Sequence, residues 1–291
     1  MLLQDLYKKE LIHCPKFLLT NTHYLTIMGS QCYGTATDDS DTDIYGFGIP
    51  KLEDIFPHLR GEILDFGRQK QRFNCWQEHH VKDGKKDYDF QVYSIVKYFH
   101  LLMENNPSVI DSLFSPINCV IHCTQIGQLL RDNRKMFIHK GLFHKFRGYS
   151  MSQLHKMETK DPQGKRKEIR DKHGWDVKFG LHVLRLLLEA EQLLLTGDMD
   201  LQKDKELLKS IRRGEWTPER IREWFEKKDK YLEELYEKST LPYGPDEDKI
   251  KQLLLQCLEI QYGSLDKIIH QPNKFENALR EISKICESAG I

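Results

Sequence analysis

Apolar positions along the chain fall into two rhythms. In the first half they come as short bursts closed by turn residues. Tyr24-Leu25-Thr26-Ile27-Met28 is rich in β-formers and stops at Gly29, and Ile44-Tyr45-Gly46-Phe47-Gly48-Ile49 stops at Pro50, so each predicts a strand. In Asp89-Phe90-Gln91-Val92-Tyr93 the apolar Phe90 and Val92 alternate with their neighbours, which predicts a third. A helix should follow from about Ser94 to Asn105, with Ile95, Tyr98, Phe99, Leu102 and Met103 on one face and a stop near Asn106-Pro107.

From about residue 138 the period becomes helical. Val177 to Leu195 carries apolar residues at helical spacing and meets Gly197, a C-cap residue. Thr217-Pro218-Glu219 reads as an N-cap, a proline at the first helical position and an acidic first turn. That helix should run to about Lys238, before Leu241-Pro242-Tyr243-Gly244-Pro245, and another should cover Asp248 to Tyr262. The pattern predicts an α+β domain over residues 1–137 and an all-α domain over residues 138–291.

Composition narrows the class of protein. Apolar residues make up 39% and charged residues 30% of the 291, the profile of a folded chain with a charge-rich surface. Lys+Arg and Asp+Glu both total 44, so any nucleic-acid contact must come from a local basic patch. No apolar run approaches the roughly 20 residues that span a bilayer, and charges interrupt the amino-terminal segment. The seven cysteines are odd in number and form no C-x-x-C pair, which argues against a disulfide scaffold or zinc ribbon. A cytoplasmic protein without a membrane segment is expected.

The chemistry concentrates between Gly29 and Asp43. Asp41 and Asp43, spaced i, i+2 at a strand, point to one face. Such a carboxylate pair is costly unless a cation neutralises it. A pair of Mg²⁺ ions would do so and would need a third carboxylate from elsewhere. Gly29 permits close backbone approach, and Ser30 offers a hydroxyl and an N–H at a helix start, where phosphate oxygens bind well.

Gly29-Ser30, a short helix through Tyr33-Gly34-Thr35, and then Ser40-Asp41-Thr42-Asp43 resemble the signature of the DNA polymerase beta-like nucleotidyltransferase superfamily. Asp89 to Phe99, Glu104-Asn105-Asn106-Pro107, Leu113-Phe114 and Trp175-Asp176-Val177-Lys178 with His182 and Arg185 are similar to its RNA-repair-associated branch. The likeness runs to about Gly197, and beyond it the chain matches only as a helical tail. It implies a small mixed sheet flanked by helices, with the metal site at one edge, and a helical substrate-binding domain behind it. It implies transfer of an NMP from an NTP, ATP foremost, to an acceptor hydroxyl, with two Mg²⁺ ions for which Mn²⁺ can substitute. It also implies a third carboxylate on the strand after the Asp-x-Asp hairpin. Asp89 fits best, and Asp87, two residues earlier on the same face, is its rival.

Other features have plainer readings beside the functional one. Lys178, His182 and Arg185 form one helical stripe, which reads either as a solvated face opposite Leu181, Leu184 and Leu188 or, by the resemblance, as the grip on the nucleotide with Gly29 and Ser30. The basic residues Lys160, Lys165, Arg166, Lys167, Arg170 and Lys172 are diluted by acids and read first as a solvated helix, second as a contact for an RNA acceptor. His79-His80 beside Cys75 lacks a second ligand pair at metal spacing and reads as part of an insert, Leu52 to Asp83, too long for a hairpin connection. Asp38 and Asp39 read as loop surface beside the metal site, and Cys119 and Cys123 as apolar fillers. A protein-modifying AMP transferase or toxin, a small-molecule adenylyltransferase and a non-catalytic RNA-binding protein of the same fold remain as alternatives.

Overall fold

The computed structural model describes residues 1–37, 40–63, 65–69, 71–84, 86–161 and 163–264, together with residues 282 and 286. Asp38 and Asp39 lie outside the described residues. The first part of the chain runs α1 (Leu2–Lys8), α2 (Leu18–Asn21), β1 (Thr22–Ile27), α3 (Gly29–Cys32), β2 (Thr42–Gly48), α4 (Leu52–Ile55), β3 (Cys75–Asp83) and β4 (Lys86–Ser94). It continues with α5 (Ile95–Met103), α6 (Pro107–Phe114), β5 (Val120–Cys123) and α7 (Gln125–Asp132). Helices follow: α8 (Leu142–Thr159), α9 (Lys165–His173), α10 (Val177–Thr196), α11 (Lys205–Arg212), α12 (Pro218–Lys238) and α13 (Glu247–Tyr262). This is an α+β fold with a helical carboxyl-terminal part. No helix among the described residues is long and apolar enough to cross a membrane.

The five strands form one mixed sheet in the order β3-β4-β2-β1-β5. β2 and β4 are parallel, and every other neighbouring pair is antiparallel. Alternating side chains bury both faces. Leu25, Ile44, Trp76, Phe90 and Val92 pack with Leu3 and Leu6 of α1 on one side. On the other, Tyr24, Phe47 and Tyr93 join the helices in a continuous core that reaches Leu184, Leu187 and Leu193 of α10.

α10 is the spine of the helical part, packed between α8 and α12. Leu184, Leu187 and Leu193 are fully buried, each contributing about 1.5–3 kcal/mol. Asp176 caps its start by accepting from the Lys178 N–H at 3.0 Å, and Gly197 ends it in the left-handed conformation. Ser94 likewise caps α5 and Thr217 caps α12, with Pro218 at the first position. The start of α5 near Ser94, the Thr217-Pro218 start of α12 and the stop at Gly197 are the ends expected from the sequence.

Three strands differ from expectation. The segment between β2 and β4 is not a hairpin connection, because those strands are parallel. It is a crossover that contains α4 and the edge strand β3, which returns into β4 through Gly84. The polar run Gln77-Glu78-His79-His80 hides the period of β3. β5 pairs with β1 across about a hundred residues of chain, and Cys123 at its end is only part-buried. β4 begins at Lys86, so Asp89 lies inside that strand and does not open it.

Candidate active site

β1 delivers the chain to Met28, whose N–H donates to the Asp43 carbonyl at 2.7 Å. The turn that follows is therefore tied to β2 at Asp43. Gly29 has φ +62°, and a Cβ there would stand 2.0 Å from Asp43 Oδ2. Both the backbone conformation and the carboxylate pressed against it demand glycine. α3 ends at Cys32, before the Tyr33-Gly34-Thr35 through which a helix was expected, and the Thr35 N–H closes the loop onto the Ser30 carbonyl at 2.8 Å.

Asp43 faces Asp89 directly across the parallel pair, while Asp41 immediately precedes β2. The Asp43 carboxyl is pushed up to about 6, by burial first and then by the charges of Asp89 and Asp41, with Lys178 and His79 opposing. Three carboxylates thus share one electrostatic site with an excess of negative charge. Such a donor set fits a hard divalent cation. Asp87 lies two residues before Asp89, opposite Lys82 of β3 and beyond the first paired residue of β2, Thr42.

The edge strand adds imidazoles that the sequence reading set aside. Glu78 pairs with Phe90 and Val81 with Tyr88, so two residues, His79 and His80, oppose the single Asp89. This is a β-bulge. The His80 N–H donates to Asp89 Oδ1 at 2.8 Å, and His79 Nδ1 lies 3.5 Å from the same oxygen. His80, Asp87 and Asp89 bring one ligand atom each within 4.8 Å of one another. The second ligand pair missing at metal spacing along the chain is supplied by β4.

A cavity of about 260 Å³ opens over the carboxylates, with Gly29, Ser30, Asp41 and Asp43 on one wall and Arg166, Lys178, His182 and Arg212 among the residues of the other. Arg166 is held by Asp176 at 3.0 Å and lies over the Phe179 ring at 4.3 Å. Arg212 donates to the Thr35 carbonyl and, at 3.1 Å each, to the hydroxyls of Thr37 and Ser40. The Lys178 ammonium is pulled down by burial and by Arg166 and Arg212, against Asp176 and Asp41. His182 is pushed down to about 3 by burial and by Arg185, Arg166 and Lys178, so it stands in this wall as a neutral imidazole.

Arg185 does not line the cavity. Its guanidinium, buried behind the wall, donates to Asp111 at 2.6 Å and Glu189 at 3.1 Å and lies 4.2 Å from the centre of the Tyr33 ring. Tyr33 Oη donates to the same Asp111 carboxylate at 2.7 Å. Burial raises both acids, Glu189 well above the usual carboxylate range. Of the expected three-residue stripe, Lys178 and His182 line the cavity, while Arg185 joins α10 to the back of α3.

The model of one protein family, described as RNA repair pathway DNA polymerase beta family, matches residues 7–256. The chain belongs to this family. The match runs past Gly197 into the helical part that the motifs alone did not reach. Membership places the protein among nucleotidyltransferase-like proteins of the polymerase beta type. It is also 27% identical over 134 residues to an uncharacterized 38.9 kDa protein of Enterobacteria phage T4 from the nrdC-mobD intergenic region. That alignment covers 45% of this chain and 37% of the phage protein, so the chain spans well under half of that relative's length. A nucleotidyltransferase-like protein from Exiguobacterium sibiricum 255-15 aligns over 89% of this chain and 75% of its own, with 12% identity and a TM-score of 0.31.

Within this family member, the structure gathers Gly29, Ser30, Asp41, Asp43, Lys178 and His182 around one cavity and sets Asp89 beside Asp43. It adds Arg212, which no sequence feature singled out, and moves Arg166 from a solvated helix face to the cavity wall. Arg166 was visible in the sequence only as one of several basic residues diluted by acids. Arg212 had no legible signal, because its partners Thr35, Thr37 and Ser40 are more than 170 residues away.

Proposed function

We propose that the protein is a Mg²⁺-dependent nucleotidyltransferase that moves an NMP from an NTP, ATP foremost, to an acceptor hydroxyl and releases pyrophosphate, with RNA as the acceptor class. The observation that carries this reading is the in-register pairing of Asp43 with Asp89, with the Asp43 carboxylate packed on Gly29 and a cationic wall across the cavity. Asp41, Asp43 and Asp89 would hold the ions. When bound, the ions supply charge neutralisation at the phosphates and a more acidic acceptor hydroxyl.

The chain's own residues do the rest by position and charge. Ser30 and the Gly29 backbone receive the β- and γ-phosphates. Lys178, Arg166 and Arg212 face the triphosphate as cations, and neutral His182 hydrogen-bonds it without adding charge. The acceptor oxygen attacks the α-phosphorus as the bond to the bridging oxygen of pyrophosphate breaks, and the acceptor proton passes to the Asp89 carboxylate. Arg212 also holds the loop before Asp41, tying the cavity wall to the segment that carries that carboxylate. The helical part from residue 138 onward acts as the substrate-binding domain.

An RNA acceptor is supported by the family's description and by a groove next to the cavity. Lys172, His173, Lys209 and Arg213 line it with Lys178 and Arg212, against one acid, Glu168. In a chain of zero net charge this is a local basic surface suited to a phosphate backbone. The test is incubation with each α-labelled NTP, Mg²⁺ and either total RNA or protein lysate. Label should appear in RNA and depend on Asp41 and Asp43. Label in protein or in small molecules only would assign the acceptor to the alternative classes, and no transfer with intact NTP binding would leave a binding protein of this fold.

A further inference from the structure

The bulge in β3 is the feature this function does not use. It sets two histidines opposite one aspartate, with His80 at φ +58° and its side chain exposed. Across from it, Asp87 and Asp89 project from the same face of β4. One oxygen of Asp87, Oδ1, is shut off from solvent and has no hydrogen-bond partner among the described residues. A buried acceptor left in that state is destabilising unless a ligand completes it. The ligand atoms of His80, Asp87 and Asp89 converge within 4.8 Å, the span of donors around one small cation.

We propose that His80, Asp87 and Asp89 form a one-imidazole, two-carboxylate site for a divalent first-row transition ion, and that this site shares Asp89 with the carboxylate cluster assigned above. The proposal rests on that cluster for Asp89 only. An imidazole in the ligand set sets the preference. Mg²⁺ favours oxygen donors and gives up water reluctantly, whereas Zn²⁺ takes a ring nitrogen readily and Mn²⁺ takes one more easily than Mg²⁺ does. His80 is therefore a metal-selectivity residue. His79, whose Nδ1 already lies 3.5 Å from Asp89, acts as a hydrogen-bonding neighbour that orients the shared carboxylate.

The experiment uses the full chain and the ions alone. Mn²⁺ binding is followed by electron paramagnetic resonance, with pulsed detection of ¹⁴N coupling, and Zn²⁺ and Mg²⁺ by calorimetry. The variants are His80→Gly, which tolerates the positive φ, His79→Gly, Asp87→Asn and the double variant Asp41→Asn/Asp43→Asn. Wild type should show coupling to one imidazole nitrogen. His80→Gly should lose it and bind Mn²⁺ and Zn²⁺ about tenfold or more weakly, with Mg²⁺ changed less than about twofold. Asp87→Asn should weaken the same ions, and His79→Gly should keep the nitrogen signal.

No nitrogen coupling in the wild type, or equal losses for Mg²⁺ and Mn²⁺ in His80→Gly, overturns the site. The two readings fail separately. Nitrogen-coupled Mn²⁺ retained in the Asp41/Asp43 double variant supports this site whatever the outcome of the transfer assay. Transfer activity with no nitrogen coupling sinks this site and leaves the nucleotidyltransferase standing.

Discussion

Replacing Asp43 by asparagine tests the charge logic of the site without disturbing its shape. Asparagine is isosteric, the backbone bond from Met28 to the Asp43 carbonyl is untouched, and the side chain still fits against Gly29. In the folded protein the Asp43 carboxyl titrates at about 6 against 3.8 for a free aspartate. About two units at roughly 1.4 kcal/mol each give about 3 kcal/mol of strain in the ionised, metal-free site, which partial exposure trims to about 2 kcal/mol. Because the folded-state value is raised, the penalty is absent below pH 3.8, grows as the pH rises from 3.8 to about 6, and is complete above 6. At pH 7.5 in a chelator, Asp43→Asn should melt higher than wild type by roughly 4–8 °C, taking about 2–4 °C per kcal/mol for a chain of this size. The gap should close near pH 4. It should also shrink on adding Mg²⁺ or Mn²⁺, which stabilise wild type by binding its folded form and gain less from the variant. Nucleotidyl transfer should be lost throughout. Differential scanning calorimetry across pH, with and without metal, reads all three. A variant that melts below wild type at pH 7.5 without metal, or whose advantage does not depend on pH, would falsify the argument.

Three further outcomes follow from the same geometry. Asp89→Asn should abolish transfer, whereas Asp87→Asn should lower it modestly; single-turnover rates giving the reverse order would hand the third catalytic carboxylate to Asp87. Lys178→Ala and Arg212→Ala should each raise KM for NTP and lower kcat, with a loss of about 2–4 kcal/mol in kcat/KM; unchanged NTP kinetics with a weaker, less salt-dependent RNA complex would move both residues to the acceptor face. Arg185→Ala should cost about 3–5 kcal/mol of stability, because it strands the buried carboxyls of Asp111 and Glu189, so chemical denaturation should register it before any specific effect on NTP binding does. An Arg185→Ala protein with wild-type stability and a raised KM for NTP would return Arg185 to the nucleotide site.

What the sequence determined was local. The Gly29-Ser30 turn, the spacing of Asp41 and Asp43, the alternation around Phe90 and Val92, the helix start near Ser94, the cap at Thr217 and the stop at Gly197 depend on neighbours a few residues away, so they could be read from the chain. Lys178 and His182 line the cavity as the family resemblance implied, whereas their helical stripe by itself read equally as a solvated face. Tertiary structure decided the rest. β3 was hidden because its pairing with β4, not its own period, makes it a strand, and the bulge that turns His79 and His80 onto Asp89 exists only in that register. The same stripe that carries Lys178 to the cavity carries Arg185 behind it, because Asp111 and Tyr33 come from distant segments and a buried guanidinium goes where its counter-charges are. Arg212 reaches the loop before Asp41 across most of the chain. Contacts of that separation leave no trace in local pattern, because the chain between them sets neither their distance nor their sign.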